Sequence, residues 1–208
     1  FDQDINDETR VSIEVTSFYL QDELELADQL RLVAGLRYDS FDITVFNVVS
    51  NEHRARKDSE VSPRLGLVYK PIGAISVYAS YSESFLPRSG EQFANINGNN
   101  DKLGPNTFSN REIGVKYDFA SGLSFTAAMF EIEQRSPQVA DNDPSTLDVI
   151  ESDIEGFELQ LQGRVNDTWS VSAGYSSLDG EQVNRQGPTG LTPRELPDSM
   201  FSIWNQFY

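Results

Sequence analysis

The chain has 208 residues, enough for one domain or two small ones, and its 33 Asp plus Glu against 16 Lys plus Arg give a formal charge of −17. Such a charge repels a phosphate backbone, so nucleic acid is not an expected partner. With no Cys and the single histidine His53, a disulfide framework, a thiol nucleophile and a Cys- or His-rich zinc site are excluded.

No apolar run approaches the ~18 residues that a membrane helix needs. A membrane β-barrel stays open, because its strands need only ~9–11 residues with every second one apolar. The opening "FDQDINDETR" has no initiator Met and no signal peptide, and the chain is expected to be part of something longer.

Period-two alternation dominates, and it predicts strands along the whole chain. The first run, Thr16 to Leu26, carries Asp22 in the same parity as Phe18, Leu20 and Leu24, which predicts either an interfacial position or a bulge. Next, Leu30, Leu32, Ala34, Leu36 and Tyr38 oppose Arg31, Val33, Gly35, Arg37 and Asp39. A run at Val61 to Tyr69 is followed by Ile75, Val77, Ala79 and Tyr81 against Ser76, Tyr78, Ser80 and Ser82. Ile113, Val115, Tyr117 and Phe119 alternate with Glu112, Gly114, Lys116 and Asp118. Leu123 to Gln134 is ambiguous, since Phe130 and Ile132 fall on its polar face. Phe157, Leu159, Leu161 and Val165 then oppose Glu158, Gln160, Gln162 and Arg164. Trp169 to Ser177 and Met200 to Tyr208 complete nine strands.

Short connections at 27–29, 71–74, 120–122 and 166–168 alternate with long ones at 47–59, 86–109, 136–150 and 182–196. That is the layout of an all-β, antiparallel up-and-down transmembrane barrel with tight turns at one end and loops at the other. Tyr69, Tyr117 and Trp169 flank the tight turns, where rings suit the headgroup boundary. A soluble β-rich sandwich is the rival, but its strands run only about five or six residues. Its core could not hold Arg31, Arg37, Arg64, Lys116, Glu158 and Arg164 without large desolvation costs.

Four blocks then carry a family resemblance: "YLQDELELADQLRLVAGLRYDSFD", "VSPRLGLVYKPIGAISVYASYSESFLPRSGEQF", "NREIGVKYDFASGLSFTAAMFEIEQ" and "IEGFELQLQGRVNDTWSVSAGYSSLDGE". In this order they resemble consecutive barrel strands of TonB-dependent outer-membrane receptors, of the ferric-siderophore type, and Pro197 to Trp204 resembles a further strand onset. The resemblance implies a 22-stranded barrel closed by an N-terminal plug, in the outer membrane of a Gram-negative bacterium. Residues 1–208 are therefore expected to be about nine strands of that barrel domain, without the plug, the TonB-contacting segment or the terminal strands. The implied partners are a ferric siderophore, outer-membrane lipid and lipopolysaccharide, and the TonB–ExbB–ExbD complex acting through the plug. A porin, a receptor for a sugar or cobalamin, and a soluble surface-binding module are the alternatives.

The resemblance implies ligand capture by extracellular loops and the upper lumen, where rings and guanidinium groups meet a bulky, often anionic chelate. The candidates are Arg88, Gln92 and Phe93 in "FLPRSGEQFANINGNNDKLGPN", and Arg54 and Arg56 in the basic cluster "NEHRARKD", which also holds Lys57. No catalytic residues and no protein metal ligands are expected, because iron would arrive held by its chelator. The acidic run Asp141, Asp143, Asp148, Glu151, Asp153 and Glu155 lacks the Gly and Glu spacing of a hand-type calcium loop. Asn166-Asp167-Thr168 matches a glycosylation sequon and is better explained as a turn.

Overall fold

The computed structural model describes residues 8–87, 104–140, 143–184, 190–193 and 196–208, with the side chains of 138–140, 143–148 and 184 left aside. Nine strands run through them: β1 (Thr9–Ala27), β2 (Leu30–Asn47), β3 (Glu52–Ile72), β4 (Ile75–Leu86), β5 (Asn106–Asp118), β6 (Leu123–Ala140), β7 (Asp143–Asn166), β8 (Trp169–Asn184) and β9 (Ser199–Phe207). They form one sheet in chain order, each antiparallel to the next, with β1 and β9 at its edges.

The register joins the apolar parities into rows. Leu24 opposes Leu32, Leu32 opposes Leu67, Leu67 opposes Ala79, and the row continues through Ile113, Met129 and Phe157. Every second residue is thereby committed to one face, because a slip of one position would turn the whole set over. Rings gather toward the tight turns, where Tyr117 meets Phe119 edge-on at 4.5 Å and Trp169 stacks with Phe207 at 6.1 Å.

Turn chemistry agrees with the short connections. Asn166 Oδ1 accepts bonds from the Thr168 amide and hydroxyl, both at 3.0 Å, an Asx-type turn that accounts for the sequon. At the β5–β6 turn, Gly163 of the neighbouring strand has φ +133°, and a Cβ there would lie 2.2 Å from the Gly122 carbonyl oxygen. Only glycine fits that approach.

Two of the expected long loops are mostly strand. β2 runs to Asn47 and β3 starts at Glu52, so 47–59 shrinks to a turn in which Asn47 Oδ1 accepts the amides of Val49 and Ser50. β6 reaches Ala140 and β7 begins at Asp143, which replaces the loop at 136–150. Beyond the apolar rows the ladder continues on backbone hydrogen bonds and ion pairs, which leave no continuous greasy parity to read. Arg54, Arg56 and Lys57 are consequently strand residues, and parity separates them: Arg54 and Arg56 share the polar face, and Lys57 the other.

The faces also exchange character along each strand. In β2 the apolar parity Leu32, Ala34, Leu36, Tyr38 continues as Ser40, Asp42, Thr44, while Phe41, Ile43 and Val45 carry on the parity of Arg37 and Asp39. No register shift intervenes. β1 does the same, with Leu20 and Phe18 on one face and Val15, Ile13 and Val11 on the other. Phe130 and Ile132, ambiguous in sequence, belong to the polar face beyond this exchange, where Phe130 and Leu178 cover Gly156. Asp22 opposes Ala34 on the apolar face, and the bulge lies beyond it, between Glu25 and Ala27.

Leu159 opposes Ala127 and Tyr175 on the apolar face, and Leu159→Arg should destabilise the receptor in lipid by about 2–4 kcal/mol. Gln160→Arg, one residue on, should be near neutral in the same urea titration. On the polar face the Tyr78 ring covers Gly114 so closely that a Cβ would sit 2.5 Å from Tyr78 Cζ, whereas at Gly66 the nearest atom is 3.7 Å away. Gly114→Ala should therefore cost about 1–3 kcal/mol by overpacking, and Gly66→Ala should be tolerated, as read by heat-dependent gel mobility.

Candidate binding site on the polar face

The polar face of β1–β4 carries a pocket of about 590 Å³, bordered by Tyr19, Arg37, Asp39, Phe41, Ser62 and Arg64. Period two brings them together. Tyr19 opposes Arg37 and Arg37 opposes Ser62, while Gln21, Gly35 and Arg64 form the adjoining row.

Arg37 is held in place by its own neighbours. Its Nε donates to Asp39 Oδ2 at 2.8 Å and its Nη2 to Asp39 Oδ1 at 2.8 Å, a bidentate pairing. Nη2 also reaches Ser17 Oγ at 3.1 Å, and Ser17 in turn donates to Asp39. The Asp39 side chain is 4% exposed and that of Arg37 55%, so the carboxylate is an interior anchor and the guanidinium an open surface. The Arg64 side chain has no hydrogen-bond or ion-pair partner among the described residues.

Beyond the pocket the exchange of faces builds a small core from Phe41, Ile43 and Val45, with Phe85 packed on it; the Phe41 and Phe85 rings meet edge-on at 5.2 Å. Opposite these residues lie Asp58, Arg56 and Arg54. Arg56 pairs with Asp58 at 2.7 Å and Arg54 with Glu52 at 2.8 Å. Each of the two arginines keeps a buried Nη1 without a hydrogen-bond partner among the described residues. Buried donors of this kind are costly unless something accepts them.

Of the residues picked out by sequence, Arg54 and Arg56 therefore stand side by side on the polar face. Arg88, Gln92 and Phe93 lie outside the described residues, and Pro87, next to them in sequence, borders the pocket. Arg37 and Arg64 were legible as charges on the polar parity, but nothing in that parity marked them as a pocket. Of the acidic run, Glu151, Asp153 and Glu155 lie on the apolar parity beyond the apolar rows, facing away from the pocket. Among the described residues no cluster of His, Cys, Asp or Glu has the geometry to hold a metal ion.

A long antiparallel meander with an apolar band on one face and a pocketed, ionic opposite face is the wall of a β-barrel. Residues 1–208 match the family model described as TonB dependent receptor-like, beta-barrel, and the chain belongs to that family. It is 34% identical over 180 residues to the probable TonB-dependent siderophore receptor PiuA of Acinetobacter baumannii, covering 82% of this chain and 24% of that protein. The ferrioxamine receptor of Yersinia enterocolitica is 30% identical over 206 residues, covering 93% of this chain and 27% of the relative. The crystal structure of the A. baumannii siderophore receptor PiuA superposes with a TM-score of 0.83 at 30% identity, over 96% of this chain and 32% of that one. The chain spans about a quarter of the length of these curated relatives.

Removing Arg37 would leave the Asp39 carboxylate buried and mostly unpaired. Arg37→Ala should cost about 3 kcal/mol in urea unfolding of the receptor, and the apolar pair Arg37→Met with Asp39→Leu should recover most of it.

Proposed function

We propose that the chain forms part of the barrel of an outer-membrane receptor that takes up ferric siderophores in a Gram-negative bacterium. The observation that carries this reading is family membership over residues 1–208, together with a relative of 34% identity that is itself a probable siderophore receptor. In this reading the polar face is the lumen wall and the tight turns are periplasmic. The ligand is an iron chelate with anionic or aromatic groups, captured from the long-loop side.

The polar face supports this ligand chemistry. Arg37 and Arg64 at the pocket, and the Nη1 groups of Arg54 and Arg56 beyond it, unpartnered among the described residues, offer donors to chelate oxygens. Tyr19, Phe41 and Phe85 supply flat apolar contacts beside them. Arg88, Gln92 and Phe93, in the connection between β4 and β5, add further contacts from the loop. Iron is cargo held by its chelator, so the protein needs no cofactor and performs no covalent chemistry. Release into the lumen is driven by the TonB–ExbB–ExbD complex acting on a plug domain outside this chain.

The test is uptake of iron-loaded siderophores by a receptor-null strain that carries the intact receptor. Arg54→Gln with Arg64→Gln should weaken binding of the cognate ferric chelate by about tenfold or more, one charge-assisted hydrogen bond or better. Receptor yield and heat-dependent mobility should not change. Uptake that is indifferent to iron loading would instead mark a passive pore or a receptor for another solute.

A further inference from the structure

The β3–β4 ladder ends well short of the outer ends of its two strands, and the sequence supplies the reason. Lys70 donates its amide to the Gln29 carbonyl at 2.8 Å, and Asp118 donates its amide to the Ala74 carbonyl at 2.8 Å. In the observed registers the first bond turns the even-numbered main-chain groups of β3 toward β2, and the second turns those of β4 toward β5. The odd-numbered groups of β3 and β4 therefore face each other, and they pair as Tyr69 with Val77, Leu67 with Ala79 and Leu65 with Tyr81. The next such pair would be Pro63 with Glu83. Proline has no N–H to give to the Glu83 carbonyl, and the ladder stops at Arg64 and Ser82.

Beyond Pro63 the two strands are the arms of a fork. β3 continues outward to Glu52 against β2 alone, and β4 continues to Leu86 against β5 alone. On the inner edge of one arm Val61, Ser59, Lys57, Ala55 and His53 each present an amide and a carbonyl, at a spacing of about 6–7 Å. Glu83 and Phe85 do so on the other arm. None of these main-chain groups has a hydrogen-bond partner among the described residues. Such an edge is a template for another extended chain. The fork also opens into the pocket on the polar face, which Pro63 and Arg64 border from one arm and Glu83, Ser84 and Phe85 from the other.

We infer that the ferric chelate is built on a peptide backbone, which extends along β3 and exchanges hydrogen bonds with the main chains of Val61 and Ser59 while its iron-binding groups lie in the pocket. The inference rests on the siderophore-uptake reading and narrows its ligand to one chemical class. A chelator without a run of secondary amides leaves these groups to water and gains nothing from the fork.

The test measures binding to the intact receptor of a ferric tris-hydroxamate carried on a linear peptide, and of the same compound N-methylated at its backbone amides. The unmethylated probe should bind about tenfold or more tightly, the equivalent of one or two hydrogen bonds. Val61→Pro, which removes an amide that β2 does not use, should erase the difference. A readout that needs no variant is exchange of the Ser59 and Val61 amides in deuterated water, which should slow when the unmethylated probe is bound. Equal affinity for the two probes, or binding of neither, overturns the inference. So do amides at 59 and 61 that are already protected in the ligand-free receptor, because another segment of the protein would then occupy the edge. Iron uptake confined to non-peptide chelates overturns the inference and leaves the uptake reading standing, whereas uptake indifferent to iron loading overturns both.

Discussion

The structure depends on the continuity of its hydrogen-bond ladder. From Thr9 to Glu25 and from Leu30 to Asn47 the register of β1 and β2 holds without a shift. Period two then commits every side chain to a face for the full length of the strand. A strand that leaves an apolar slab and continues into water cannot rotate its side chains to suit, so the sequence itself must change parity. That is what happens between Tyr38 and Phe41 in β2, between Phe18 and Val15 in β1, and between Met129 and Phe130 in β6.

The exchange explains how an acidic protein can present guanidinium groups at a pocket, where Arg37 and Arg64 balance Asp39 and Glu83. Beyond the exchange, Glu131, Glu133, Asp153, Glu155, Asp179 and Glu181 share the parity of the apolar band and face away from the pocket. Arg37, Arg54, Arg56 and Arg64 occupy the other face. The formal charge of −17 is therefore unevenly placed. The polar face of β2 and β3 is richer in guanidinium than composition suggests, and Asp39 fixes one of those groups, Arg37, in a bidentate pair.

Much of this was legible from residues alone. Clean alternation at Leu30–Tyr38, Ile75–Tyr81 and Phe157–Val165 located strands, faces and tight turns, because lipid-like burial leaves a greasy parity. Reading failed where that pressure ends. The stretch 47–59 passed for a loop, since it pairs with β2 beyond the exchange, where Arg54, Arg56 and Asp58 oppose Val45, Ile43 and Phe41 and leave no greasy parity of their own. Phe130 and Ile132 were puzzling for the same reason. The pocket was hidden because it is assembled across four strands: Arg37 and Arg64 are far apart in sequence, and only the β2–β3 register sets their rows side by side.

Site-directed spin labelling along β7 tests the account most directly, and residues 1–208 contribute no native cysteine to it. With single labels from 151 to 161 in the receptor reconstituted in lipid, labels at 157, 159 and 161 should be relaxed by oxygen dissolved in the bilayer. Labels at 158 and 160 should not. At 151, 153 and 155, on the same face, a water-soluble nickel chelate should take over. Absence of a period of two, or bilayer exposure persisting through 155, 153 and 151, would contradict a ladder of constant register whose faces exchange at the membrane boundary.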